Sequence, residues 1–197
     1  MKRSLVKLLS LAFGLTLLLS GCATGYLLDN NVQSFSNLTA LPAPATYRFD
    51  RLPSQQGRGQ AQLEAMADAA LHNAGLRRDD ANPRYAVQVS ARLEQVLSPW
   101  ASPWDGWGGW GVGYRHHGLG VGFGGPFGRF EPPWHHREVA VIIRELASNR
   151  VVFESHATSE GPWLDESQVF PAMFTAALQG FPNPPPGPRR VDIQLRG

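Results

Sequence analysis

Glu138-Val139-Ala140-Val141-Ile142-Ile143-Arg144-Glu145-Leu146, then Ala147-Ser148-Asn149-Arg150, then Val151-Val152-Phe153-Glu154-Ser155-His156-Ala157 is the stretch that decides the fold. Val139, Val141 and Ile143 recur at every second position, the period of a strand with one buried face. Four turn-forming residues follow, and Val151, Phe153, Ser155 and Ala157 resume the alternation as a returning strand. This is a hairpin, and a hairpin alone cannot bury its apolar face. More strands and a cover are required.

Upstream, Tyr85, Val87, Val89, Ala91 and Leu93 alternate with Ala86, Gln88, Ser90, Arg92 and Glu94, a long strand with one wet face. Earlier still, Thr46 to Leu52 alternates until Pro53-Ser54 ends it, and Val32-Gln33-Ser34-Phe35 reads as a first short strand. Between Gly59 and Ala74 the period turns helical. Leu63, Met66, Ala67, Ala70, Leu71 and Ala74 make one apolar stripe, and Gly75 supplies a left-handed stop. His72, near that helix end, reads as a capping or surface residue.

Downstream, Asp165-Glu166-Ser167-Gln168 resembles a capping box. The helix after it carries Val169, Phe170, Met173, Phe174, Ala177, Leu178 and Phe181 at helical spacing, and Pro171 blurs where it starts. Pro182 to Pro188 connects to a closing edge strand, Val191 to Leu195. The expected architecture is α+β: an antiparallel β-sheet with two helices packed on one face, plus a Gly/Trp-rich insert.

The N-terminus reads as an export address. Lys2, Arg3 and Lys7 precede an apolar run, Leu8 to Leu19, of about 12 residues, short of the ~20 that span a bilayer. Leu19-Ser20-Gly21-Cys22 resembles the lipobox of bacterial lipoproteins. The resemblance implies cleavage before Cys22, and a diacylglycerol thioether and an N-acyl chain on that residue. One acyl chain holds reversibly, at about 0.8 kcal/mol per buried CH₂, whereas several anchor firmly. An ordinary cleaved signal with an incidental Cys, or an uncleaved anchor, is the alternative. Ala23, where inner-membrane lipoproteins tend to carry Asp, favours the outer membrane, periplasmic side. The domain reading is residues 1–21 as lipoprotein signal peptide, 22–31 as lipidated N-terminus and tether, and 32–197 as one α+β domain containing an insert at 98–136.

Composition excludes several functions. Cys22 is the only Cys, so no intrachain disulfide and no Cys-based metal site can form. Without Lys2, Arg3 and Lys7, 15 of the 18 basic residues remain against 16 acidic ones, which argues against nucleic acid as partner. All the remaining basic residues are Arg, a choice compatible with bidentate anion contacts or with the codon usage of a GC-rich genome.

Pro99 to Trp134 holds five of the six Trp and about half of the Gly. Trp100, Trp104, Trp107 and Trp110 have helical spacing, but the interleaved Gly106, Gly108, Gly109 and Gly111 oppose a helix. Gly111 to Gly124 alternates Gly with larger residues, as a strand would. With Tyr114 and Trp134 these indoles suit an aromatic platform for glycan, peptide or lipid. The other reading is a low-complexity insert whose aromatics fold back on the sheet. Two formal G-x-G-x-x-G matches, at Gly106 and at Gly120, lack a βαβ setting, and Pro126 follows the second, so dinucleotide binding is excluded. His116, His117, His135 and His136 bracket the insert, with Glu131 between them. One His from each pair with a carboxylate could bind Zn²⁺ or Cu²⁺, since neighbours on a strand face opposite ways.

No G-x-S-x-G, H-E-x-x-H or P-loop occurs, and beyond the export address the chain has no Lys and hence no S-x-x-K. Ser155 and His156 point apart on a strand, so Asp165 completes no triad, and the chain reads as non-enzymatic. No cofactor is expected beyond the covalent lipid on Cys22.

The order Thr46-Tyr47-Arg48-Phe49, a helix ending in Gly75-Leu76, Tyr85-Ala86-Val87-Gln88-Val89 entering a Gly/Trp-rich insert, a hairpin and a helix ending in Phe181-Pro182 resembles the bacterial lipoproteins of domain-of-unknown-function family 4136. The likeness covers most of the mature chain and brings no catalytic residues. The Asp-x-x-Thr-Gly-Lys turn usual in that family is replaced by Glu145-Leu146-Ala147-Ser148-Asn149-Arg150. Two functions remain: a non-catalytic envelope lipoprotein contacting an envelope protein or cell-wall glycan, and a periplasmic small-ligand or metal binder using the insert.

Overall fold

The computed structural model describes residues 25–96, 98, 113–115, 118–120, 133–162 and 165–195. In chain order these form β1 (Tyr26–Ser36), β2 (Thr46–Phe49), α1 (Arg58–Asn73), β3 (Arg77–Arg78), β4 (Tyr85–Val96), β5 (Gly113–Arg115), β6 (Gly118–Gly120), β7 (Trp134–Glu145), β8 (Arg150–Pro162), α2 (Glu166–Ala177) and β9 (Arg189–Leu195). Seven strands make one mixed sheet in the order β3-β2-β4-β7-β8-β1-β9, and β5 pairs with β6 alone. With its two helices the fold is α+β.

The hairpin read from the sequence lies at the centre of this sheet. β7 runs antiparallel to β8 from Trp134↔Pro162 to Glu145↔Arg150, and antiparallel to β4 from Val96↔Trp134 to Tyr85↔Glu145. Val87, Val89, Val139, Val141, Ile143, Phe153 and Ala157 are all buried. One detail departs from simple alternation. A register shift between Ile143 and Arg144 sets Arg144 opposite Val151. Val151 therefore leaves the face of Phe153, Ser155 and Ala157 and is exposed.

The turn closes with Asn149 at φ 54°, a left-handed conformation that Asn tolerates better than most side chains. Ser148 Oγ donates to Glu145 Oε2 at 2.8 Å.

Three expectations are corrected. The sheet is not wholly antiparallel, because β2 pairs parallel with β3 and β4. A helix between two strands returns the chain to the end it left, so β2 and β4 must run the same way. The tether expected over 22–31 is shorter, because β1 already begins at Tyr26 and pairs with β9 from there. The insert expected over 98–136 is also shorter: Trp134, His135 and His136 belong to β7, in register with β4 and β8.

α1 ends as its Gly75 foretells. Gly75 has φ 95°, its N–H reaches His72 O and the Leu76 N–H reaches Leu71 O, both at 3.0 Å. These are the two bonds of a Schellman cap, closed by the buried pair Leu71 and Leu76. His72 is exposed. Ala67, Ala70 and Leu71 are buried, Leu63 and Met66 half-buried. The stripe also contains a buried Glu64, clamped by Arg51 through Nε and Nη2, each at 2.6 Å.

α2 is capped by Asp165, whose Oδ1 accepts the Ser167 N–H at 2.9 Å. Pro171 lies inside the helix, and the carbonyl its ring leaves without an N–H, that of Ser167, is on an exposed residue. Val169, Phe170, Met173, Phe174, Ala177 and Leu178 are buried, and Phe181 packs edge-on against Phe153 at 4.9 Å. α2 contacts β1, β7, β8 and β9, α1 contacts β4, and the helices touch each other. A hydroxyl relay pins the layers together: Arg189 Nη1 donates to Ser34 Oγ, which bonds Ser155 Oγ at 2.8 Å, which donates to Ala177 O at 2.7 Å.

Candidate functional site

The register places five chain points at one end of the sheet. Val96 faces Trp134, Trp134 faces Pro162, and Tyr26 faces Leu195. Because β1 runs antiparallel to β8, its start lies by the end of β8. Both branches of the insert and the link to Cys22 therefore join the domain at this end.

The sheet also opens here. β1 pairs with β8 only over 31–36, whereas residues 26–32 pair with β9. From Asn30 toward Tyr26 the two strands part. A cavity of about 590 Å³ lies beside the split, lined by Asp29, Asn30, Ser159, Glu160, Arg189 and Arg190 among others.

Next to the split stands Arg137, 1% exposed. Its position on β7 has the inward parity of Val139, Val141 and Ile143. Nη2 donates to Pro162 O at 2.6 Å, but Nε and Nη1 have no partner among the described residues. Burial lowers the Arg137 pKa from its ordinary value, with Tyr26 and Glu166 pulling weakly the other way. Ser159, its ladder partner, is 4% exposed and its Oγ is also unpartnered. Asn30 donates through Nδ2 to Leu28 O at 3.1 Å and Val191 O at 3.0 Å, leaving Oδ1 buried and unpaired. Four orphaned polar atoms thus flank the place where the ladder opens.

The residues singled out from the sequence divide sharply. Trp134 starts β7, half-buried, with Nε1 unbonded among the described residues. Tyr114 belongs to β5 and pairs with Leu119 of β6. His135 and His136 occupy opposite faces, and His136 Nδ1 lies 3.0 Å from Glu160 Oε1. Cys22, Trp100, Trp104, Trp107, Trp110, His116 and His117 lie outside the described residues. Among the described residues no three of His, Cys, Asp or Glu converge as a metal ion requires. Ser155 is taken up by the relay to α2, and His156 stands on the other face between Glu138 at 3.3 Å and Glu154 at 2.9 Å.

Arg137, Ser159 and Asn30 were missed by reasoning from sequence. The one signal available was a charge at an inward position of β7.

The family model described as Domain of unknown function (DUF4136) matches residues 31–183. No curated protein sequence matches the chain. Among solved structures, a PelC dodecamer from Paraburkholderia phytofirmans is 13% identical at a TM-score of 0.46, with 76% of this chain and 94% of that chain covered. A point variant of the same dodecamer is 14% identical at a TM-score of 0.44, with the same coverage. A PDZ domain protein from Parabacteroides distasonis is 14% identical at a TM-score of 0.46, with 86% of this chain and 39% of that chain covered.

Proposed function

The chain belongs to the DUF4136 family, and from that premise we propose that it is a non-catalytic envelope lipoprotein. Acylated Cys22 holds it in the bacterial outer membrane on the periplasmic side. Both helices cover one face of the sheet, and the Trp-rich insert serves as an interaction module for an envelope protein or cell-wall glycan. One observation carries this reading: the link to Cys22 and both branches of the insert join the same end of the sheet. Four residue steps from Cys22 to Tyr26 span at most about 14 Å. A lipid on Cys22 would keep that end close to the bilayer, and the insert with it. Indole rings suit such a boundary, apolar in body and polar at one edge.

The anchor and the module are tested separately. Radiolabelled palmitate is expected on the wild-type chain and absent from Cys22→Ala, which accumulates as precursor. An unlabelled wild type would end the lipoprotein reading. Replacing Trp104, Trp107 and Trp110 by Ala is expected to abolish partner crosslinking in cells, whereas replacing His116, His117, His135 and His136 spares it. The reverse ranking, with bound zinc or copper lost only from the His variant, would transfer the function to metal binding.

A further inference from the structure

We infer that Arg137 and Ser159 form a receptor for a small carboxylate, seated where β1 leaves β8. The inference stands on the described sheet alone, independently of the anchor and the insert. A guanidinium stays charged under all ordinary conditions and carries five N–H donors. Arg137 is almost wholly withdrawn from water, yet among the described residues its side chain bonds one acceptor, Pro162 O. Among the described residues none gives it an ion pair. Glu166 influences it only at a distance, from an exposed position. A buried cation without a counter-charge is strongly unfavourable, so a fold that keeps one has a use for it.

The surroundings are shaped for an oxyanion. Ser159 Oγ stands opposite Arg137 in the ladder with its proton uncommitted. Among the described residues β1 pairs with β8 only from Asn31 on, and the cavity beside that split is lined by Ser159 and Asn30. Gly161 makes room for the Tyr26 hydroxyl on the side of the guanidinium: a Cβ there would fall 2.9 Å from that hydroxyl and 3.8 Å from Arg137 Nη1. Water could satisfy the hydrogen bonds but not the charge. A carboxylate does both, since its two oxygens match a guanidinium edge and can also accept from a hydroxyl. Its single charge equals that of Arg137, whereas a phosphate dianion would leave an excess out of water. The other charges at the mouth are engaged: Asp29 with Arg190 at 2.7 Å, Arg190 with Asp192 at 2.8 Å, Arg189 with Ser34 and Gln179, and Glu160 with His136.

The test uses the full mature chain, with sodium acetate as probe against sodium chloride and sodium phosphate at matched ionic strength and pH. Acetate is expected to raise the melting temperature saturably and to shift the Arg137 Nε–H resonance, with chloride and phosphate doing neither. Ser159→Ala should raise the half-saturating acetate concentration roughly tenfold or more. Arg137→Met should fold, melt higher than the wild type without acetate, and ignore acetate. Absence of a saturable response, an equal response to chloride or phosphate, or a response retained in Arg137→Met would overturn the proposal. So would an Arg137→Met variant less stable than the wild type, which would make the Arg137–Pro162 bond structural.

Discussion

The two ends of the sheet follow opposite rules. At the turn end, polar groups satisfy one another: Glu145 accepts from Ser148 at 2.8 Å and from Arg84 Nη2 at 3.3 Å, and the Leu146 N–H reaches Arg84 O at 3.0 Å. The Tyr85 hydroxyl is the exception there, although Arg84 lies over its ring. At the tether end, Arg137, Ser159, Asn30 and Trp134 all keep buried polar atoms without partners among the described residues. Buried polar groups are normally paired, so a cluster of unpaired ones calls for an explanation, and the proposed carboxylate supplies one. One end is built for stability, and the other holds binding capacity in reserve.

The comparison presumes that both ends hang on one core, and the largest predicted effect tests this. Phe174 and Val141 are fully buried between the ends. Phe174→Asp or Val141→Asp puts an uncompensated charge there and should cost about 3–5 kcal/mol or more. A domain stable by ~5–15 kcal/mol then loses most of its margin. Circular dichroism should show no cooperative melt at either end. A variant in which one end alone melts would divide the molecule into two independent units.

Next in size are the backbone positions of the turn end. Gly75 sits at φ 95°, and a Cβ would lie 3.2 Å from Leu41 Cδ2. Gly75→Ala should cost about 1–2 kcal/mol in urea denaturation. Asn149→Ala should cost about 1 kcal/mol for the same reason, while Asn149→Gly should be neutral or stabilising. Equal stability of Asn149→Ala and Asn149→Gly would show that the hairpin turn carries no conformational demand.

A smaller effect appears on acidification, and each end contributes one carboxyl. Glu145 is held below its ordinary pKa by the Ser148 hydroxyl and then by Arg84, Asp165 by its bond from Ser167. A depressed carboxyl contributes stability above its unfolded pKa and loses it as pH falls through the folded value. The melting temperature should therefore drop from about pH 5 downward. Glu145→Gln and Asp165→Asn should each flatten that slope slightly, Ser148→Ala less so. An unchanged slope in Glu145→Gln would remove this carboxyl from the turn end's stabilising network.

Legibility in the sequence follows the same division. The strands β4, β7 and β8, both helices and the Gly75 stop were readable because period and chirality are local properties. The parallel pairing of β2 was not, since it depends on where α1 returns the chain. The early start of β1 escaped because Leu27, Asp29 and Asn31 face solvent, and Leu28 alone among its first residues reads as core. Arg137 escaped for a different reason. A charge at an inward position normally argues against a strand, and only the register shows that it is buried without a partner.

The smallest predicted effect concerns the insert, and it bears most directly on the contrast between the ends. β4 and β7 stay paired up to Val96↔Trp134, so the ladder is complete before the insert begins. Loop closure changes by only about 0.6 kcal/mol for each halving of length. Deleting half of residues 98–133 should therefore raise stability by no more than about that amount, close to the error of a denaturation curve. The same deletion should leave the Arg137 response to acetate intact, because Arg137 and Ser159 face each other within the β7–β8 ladder. If shortening instead unfolds the chain, the aromatic residues belong to the core, and the tether end is closed like the other. If stability holds but acetate no longer acts, the insert covers Arg137, and the binding capacity of this end belongs to insert and sheet together.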